Sequence, residues 1–201
     1  MILKIRPADW RDHEVIRSLR ALAFTELSLD GGLYELLTWP IFHCQVAVQE
    51  GQVIGMAALL LPPGTIADSQ GVSVRPEHRG KRIASHLRAA QARDLKILGY
   101  EALDVALPSD NAAAMAMTFR HFPKELPPVL VDGQKLYRYF RATVPELLQR
   151  ASAEVGRYPM SLTAAQETLL QRKGEQAREL YHRLLLVETL ARQKAERRGG
   201  G

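Results

Sequence analysis

The residues best suited to chemistry lie between Val72 and Ala84, a run reading Val-Ser-Val-Arg-Pro-Glu-His-Arg-Gly-Lys-Arg-Ile-Ala. The alternation of Val72, Ser73 and Val74 predicts the end of a strand, and Pro76, which has no backbone donor, closes it. Arg79, Gly80, Lys81 and Arg82 then make a basic turn. After it Ile83, Leu87, Ala90, Leu95 and Leu98 recur on one face of a helix. A strand, a glycine-bearing turn and a helix start direct backbone N–H groups outward, and the helix dipole adds partial positive charge, so the stretch is a cradle for an anion. Residues 75–96 carry seven Lys and Arg against two acids, the largest local excess in a chain of formal net charge +5. A phosphate-rich ligand accounts for that excess without nucleic acid.

The elements that must position this turn follow from periodicity and punctuation. Leu3–Arg6 is read as a strand, and the helix from Asp12 turns Val15, Ile16, Leu19, Leu22 and Ala23 inward. A short helix covers Leu33–Leu37. Two strands, His43–Gln49 and Gln52–Leu61, meet at the hairpin signal Glu50-Gly51. Thr65–Val74 is the strand that enters the basic turn. Beyond the Gly99 stop come a strand (Ala102–Leu107), a helix (Asn111–Phe122), a loop (Pro123–Pro128) and a hairpin of Val129–Val131 with Gln134–Arg141. His78 and His121 are read as loop residues. The order β-α-α-β-β-β-α-β-α-β-β predicts an α/β fold, a mixed twisted sheet flanked by helices.

The opening stretch resembles the acyl-CoA pyrophosphate loop of the GNAT superfamily of N-acyltransferases, Val-x-Val-x-Pro-x-x-Arg-Gly-x-Gly-x-Gly/Ala. Val72, Val74, Pro76, Arg79, Gly80 and Ala84 match, and the element order is also that of the superfamily. The resemblance implies acetyl-CoA or another acyl-CoA as donor, no metal, and contacts from Val72, Ser73, Val74, Arg79, Gly80, Lys81, Arg82, Ile83 and Ala84. Arg82 departs from the pattern, standing where the family has its second glycine. An arginine there must swing away or pair with a phosphate itself. Asp110 to Met117 is similar to the Asn-x-x-Ala segment of ribosomal-protein alanine acetyltransferases, which implies a cofactor contact for Asn111; a helix N-cap is the plain alternative.

Acyl transfer to an amine needs a base for the amine and an acid for the departing thiolate. Asp104 and Asp68 are the candidate bases. Asp104 lies two residues before the place where the alanine acetyltransferases carry their glutamate. Asp68 is expected to share a strand face with Gln70, Val72 and Val74. The tyrosine that often serves the family as acid is replaced by Thr118, whose hydroxyl is too weak; either water or another residue then protonates the sulfur, with Tyr137 and Tyr139 as alternatives, or the chemistry is slow. The alternative is a GNAT-fold CoA-binding or protein-interaction module with impaired catalysis. By the family's layout Phe24, Leu33, Tyr34, Leu37, Trp39 and Phe42 line the acceptor side, an apolar set that suits a bulky acceptor better than a polycation.

Residues 1–143 are read as the acyltransferase domain and 144–201 as a helical C-terminal extension. In the extension a capping box at Thr163–Gln166 opens a helix running to about Arg198, with Gly174 as a bend. Leu169, Leu180, Leu184, Val187 and Leu190 form an apolar stripe that needs a partner: a second copy of the chain first, another protein second, nucleic acid third. One cysteine, Cys44, offers no internal disulfide. No apolar run spans a membrane and the N-terminus lacks a signal peptide's order, so a cytoplasmic setting is expected.

Overall fold

The computed structural model describes residues 3–22, 37–131, 135–156 and 162–199, with side chains described to residue 184 in the last segment. Seven strands form one sheet: β1 (Leu3–Pro7), β2 (Phe42–Gln49), β3 (Gln52–Leu60), β4 (Ile66–Val74), β5 (Ala102–Pro108), β6 (Lys124–Val131) and β7 (Lys135–Thr143). Their order is β1-β2-β3-β4-β5-β7-β6, and β4–β5 is the parallel pair in an otherwise antiparallel sheet. The helices among the described residues are α1 (His13–Ala21), α2 (Ile83–Leu98), α3 (Ala112–His121), α4 (Val144–Val155) and α5 (Ala164–Gly199). Of the expected Leu33–Leu37 helix only Leu37 falls within the described residues, and the turn of the last hairpin at Asp132-Gly133, between Val131 and Gln134, lies outside them.

The sheet is covered unequally. α1 places Ile16 and Leu19 against Phe42, Cys44, Val46, Met56 and Ala58 on one face. On the other face α2 buries Ile83 and Leu87 against Ala47, Ile54 and Val74. Further along that face Leu95 and Leu98 join Leu103, Met115, Phe140 and Leu147 in the main core. Each large side chain of this kind contributes about 1.5–3 kcal/mol when fully buried. α4 therefore belongs to the packed body, through Leu147 and Ala151. The β2–β3 connection is a tight turn with Glu50 at φ 52° and Gly51 at φ 78°, the conformation whose twist matches a hairpin.

Three expectations need correction. β6 begins at Lys124 rather than after Pro128: as the edge strand it tolerates Pro127 and Pro128, which sit at a register shift between Leu126 and Val129. α5 runs unbroken through Gly174, which permits contact instead of bending; a Cβ there would lie 3.0 Å from the Leu98 carbonyl oxygen. The packed stripe of α5 is also rotated from the expected one. Leu170, Gly174 and Ala177 are buried, with Leu180 and Tyr181 against the main core, while Leu169 and Leu184 are exposed. The capping box is present, Thr163 N–H donating to Gln166 Oε1 at 2.9 Å and Gln166 N–H to Thr163 Oγ1 at 3.3 Å.

Candidate functional site

β4 and β5 pair only over Ile66–Asp68 and Ala102–Asp104, although β4 continues to Val74 and β5 to Pro108. Beyond Asp68 and Asp104 the two parallel strands part, opening a cleft at their carboxyl ends. Ligands of open α/β sheets bind in such places, because the strand edges there have lost their partners. The edge of β4 can be assigned atom by atom. Arg75 N–H donates to Ile54 O at 2.9 Å, so by antiparallel alternation Ser73 bonds toward β3 while Val72 and Val74 turn their backbone groups toward the cleft. Arg79 Nε donates to the Val74 carbonyl at 3.1 Å, tying the basic turn to that edge.

A bulge alters which side chains accompany that edge. Leu59 pairs with Ser69 but Ala57 with Val72, so β4 holds one extra residue near Gly71, which sits at φ 105°. α1 braces it: Arg20 Nη1 donates to Gln70 O at 3.1 Å, and Ser73 Oγ to Leu19 O at 2.6 Å. In consequence Val72 and Val74 pack on the α2 face, whereas Asp68 is on the opposite face. The expectation that Asp68 shares a face with Val72 and Val74 is thus overturned, since period-two counting fails across the inserted residue.

The turn after β4 leads into α2 through Gly80 at φ 75° and Arg82 at φ 58°. Nothing lies within 4 Å of a Cβ placed on Gly80, so the turn faces open space. Arg82 takes a left-handed conformation that costs a non-glycine residue about 1–2 kcal/mol, which explains a glycine preference at this position. Its side chain swings away, Nη1 donating to Glu154 O at 2.7 Å. α2 has no side-chain N-cap and no acid in its first turn. Its first N–H groups carry the positive end of the helix dipole, with Lys81 and Arg82 exposed beside them. Asn111 caps α3, its Oδ1 accepting from Ala114 N–H at 3.1 Å.

On the face opposite α2, Asp68, Asp104 and Arg141 lie in register across three strands where the cleft begins. Arg141 grips Asp104 through Nε and Nη2 at 2.6 and 2.7 Å, occupying both carboxylate oxygens. Asp68 has no such clamp, and burial, with the Asp104 charge adding to it, raises its pKa above the ordinary value. Among the described residues no hydrogen bond or ion pair is made to the Asp68 carboxylate, which sets it apart from Asp104. Tyr139 and Tyr137 follow Arg141 along β7 opposite Ala106 and Pro108, on this same face. Thr118 is fully buried, and among the described residues its hydroxyl has no hydrogen-bond partner.

Sequence reasoning missed Arg141, Glu154 and the place of His121. His121 is not a loop residue: it ends α3, is fully buried, and lies with Nε2 at 3.4 Å from Glu154 Oε1. On the acceptor side Phe42 is core, Leu37 half-buried and Trp39 48% exposed, while Phe24, Leu33 and Tyr34 fall outside the described residues. A cavity of about 730 Å³ near Tyr100, Glu101, Val144 and Leu148 lies at the other end of α2, and none of the sequence-predicted site residues lines it. Among the described residues no cluster of His, Cys, Asp and Glu could hold a metal, and no helix is long and apolar enough to cross a membrane.

A sheet that splays between two parallel strands above a basic turn and helix start is the architecture of acyl-CoA-dependent acetyltransferases. Among solved structures, the Escherichia coli ribosomal-protein-S18-alanine N-acetyltransferase superposes with TM-score 0.61 at 15% identity, over 71% of this chain and 94% of that one. A variant of the spermidine N-acetyltransferase SpeG from Vibrio cholerae gives TM-score 0.62 at 18% identity, over 74% and 98%. The acetyl-CoA-containing structure of yncA, a putative acetyltransferase from Salmonella typhimurium, gives 0.59 at 19%, over 71% and 94%. These identities speak to the fold alone. No curated protein sequence matches significantly. The Acetyltransferase (GNAT) family matches residues 13–121, more than half of the chain, and the chain belongs to that family.

Proposed function

We propose that this chain is an N-acyltransferase that moves an acetyl or other acyl group from acyl-CoA directly to an amine. The observation that carries the reading is the parted β4–β5 edge, with Val72 and Val74 backbone groups turned into the cleft above the turn of Arg79 to Ala84. In this reading the thioester is supplied by acyl-CoA as co-substrate. The open N–H groups of α2, with Arg79, Lys81 and Arg82, take its phosphates, and Asn111 flanks the pantetheine. Asp68 accepts the amine proton, directly or through water, as the amine attacks the thioester carbonyl. Asp104, already neutralised by Arg141, orders the site. Tyr139 or Tyr137 donates to the thiolate.

Isothermal titration with acetyl-CoA tests the donor, and no binding at millimolar concentration would sink it. Thiol release with a panel of amines and peptides then tests catalysis. Asp68→Asn should lower kcat by about 10²–10⁴-fold while leaving acetyl-CoA affinity in place. The second reading, a CoA-binding module with impaired catalysis, is favoured by the buried Thr118 in the tyrosine's position. Tight acetyl-CoA binding without turnover on any amine would select it. We also infer that residues 1–143 hold the chemistry and that the extension serves assembly through the end of α5 beyond Tyr181. Light scattering should then return a dimer that a chain ending before Leu184 does not form.

A further inference from the structure

The C-terminal turn of α4 reaches the N-terminal end of α2, and Glu154 makes several polar contacts there. The Glu154 carboxylate accepts a short hydrogen bond from Ser85 Oγ, and it lies 3.4 Å from His121 Nε2 and 3.8 Å from Arg120 Nη1. The Glu154 carbonyl takes the Arg82 guanidinium at 2.7 Å. Two negative features, a carboxylate and a helix C-terminus, therefore sit against a helix N-terminus and an arginine. Ser85 and His121 are both more than nine-tenths buried, and among the described residues His121 Nδ1 has no hydrogen-bond partner while Nε2 faces Glu154. Burial works against the charge on Glu154, but Ser85, His121 and Arg120 outweigh it and hold the carboxyl below its ordinary pKa. Two helices, α2 through Ser85 and α3 through Arg120 and His121, thus converge on one anion, beside the basic turn whose Arg82 holds the carbonyl of the same residue.

We propose that Glu154 is a built-in competitor for acyl-CoA: it occupies a phosphate subsite formed by Arg82, Ser85, Arg120 and His121, and the cofactor must displace it to bind. The inference rests on the acyl-CoA reading for the identity of the ligand, though not for the existence of the subsite. Arg82 then exchanges one acceptor for another, leaving the Glu154 carbonyl for a phosphate oxygen. The side chain that breaks the family's glycine pattern would thereby couple the α4 turn to the loop. A purely structural staple between α2 and α4 gives the opposite expectation, since removing its charge would loosen the fold and leave ligand affinity as it was or weaker.

The test uses the full chain, Glu154→Gln and Arg120→Ala, with acetyl-CoA by calorimetry and inorganic pyrophosphate by thermal shift. Glu154→Gln should bind acetyl-CoA about five- to tenfold more tightly, and Arg120→Ala more weakly, than the natural chain, by removal of a competing or an attracting charge. Pyrophosphate should raise the melting temperature of Glu154→Gln more than that of the natural chain. If the natural chain binds acetyl-CoA and Glu154→Gln binds it equally or less well, the competitor is refuted while the acyl-CoA reading stands. If acetyl-CoA binds neither but pyrophosphate still favours Glu154→Gln, the subsite stands and the cofactor reading falls. Equal pyrophosphate shifts in both chains overturn the subsite.

Discussion

The two ends of α2 share a backbone feature and are finished differently: Arg82 precedes the helix at φ 58° and Gly99 follows it at φ 82°. At the C-terminal end the carbonyls of Leu95, Lys96 and Leu98 are taken by the chain itself. Tyr100 N–H bonds to Leu95 O at 2.9 Å and Gly99 N–H to Lys96 O at 3.4 Å, a Schellman arrangement. Arg178 Nη1 takes Leu98 O at 3.0 Å, and Gly174 lets α5 lie close over it. At the N-terminal end the left-handed residue is a strained arginine, the first turn has no side-chain cap, and the groups around it converge on the Glu154 anion. One end is closed by the chain's own packing and the other is finished for an anion. Substitutions at the two ends should therefore separate stability from ligand binding.

The largest effect is expected at the closed end. In Gly174→Leu the new side chain starts 3.0 Å from a backbone oxygen that cannot move aside cheaply, so α5 must lift from α2. A loss of about 1–3 kcal/mol is expected, read as a lower denaturation midpoint, with acetyl-CoA affinity of the folded protein unchanged. An unaltered midpoint would mean that α5 does not seal this end. Next in size is a matched pair, Gly99→Val and Gly80→Val, since both glycines have positive φ (82° and 75°). Each should lose about 1–2 kcal/mol of stability from backbone strain. Only Gly80→Val should also weaken acetyl-CoA, by about tenfold; equal binding in both would erase the distinction between the ends. Smaller again is Arg178→Met, which removes a single hydrogen bond to Leu98 O and should cost about 0.5–1.5 kcal/mol without touching ligand affinity.

What could be read in the sequence is what neighbouring residues determine. Pro76, Gly80 and the switch from period two to period 3.6 locate the strand, turn and helix, and Glu50-Gly51 fixes its hairpin. What could not be read depends on one-residue displacements or on distant partners. The bulge at Gly71 moves Val72 and Val74 to the face opposite Asp68, and alternation alone cannot reveal an inserted residue. Counting the α5 stripe from Leu169 rather than Leu170 rotates it by about 100°. Gly174 looks like a bend in isolation and becomes a contact only when Leu98 is opposite it. Glu154 is 72 residues from Arg82 and Arg141 is 37 from Asp104, so neither the anion at the α2 start nor the clamp on one candidate base has a local signature.

Acid should act on the open end and spare the closed one, and this is the smallest effect expected. Burial lowers the His121 pKa below its ordinary 6.5; Glu154 opposes that shift, while Arg88 and Arg120 reinforce it. Burial lowers His86, in the second turn of α2, in the same direction. A base whose folded pKa is depressed binds fewer protons in the folded state than in the unfolded one. Its contribution is therefore fully present above pH 6.5 and is lost as the pH falls from there toward the folded value. Asp68, with a raised pKa, acts in the opposite sense. Its share is common to the natural chain and to His121→Gln, and so is that of His86. Denaturation midpoints measured from pH 7.5 to 5 should fall in both proteins on acidification, with a shallower slope for His121→Gln. Identical slopes would show that His121 is as easily protonated in the fold as out of it, and that the anion end of α2 is wetter than its burial implies.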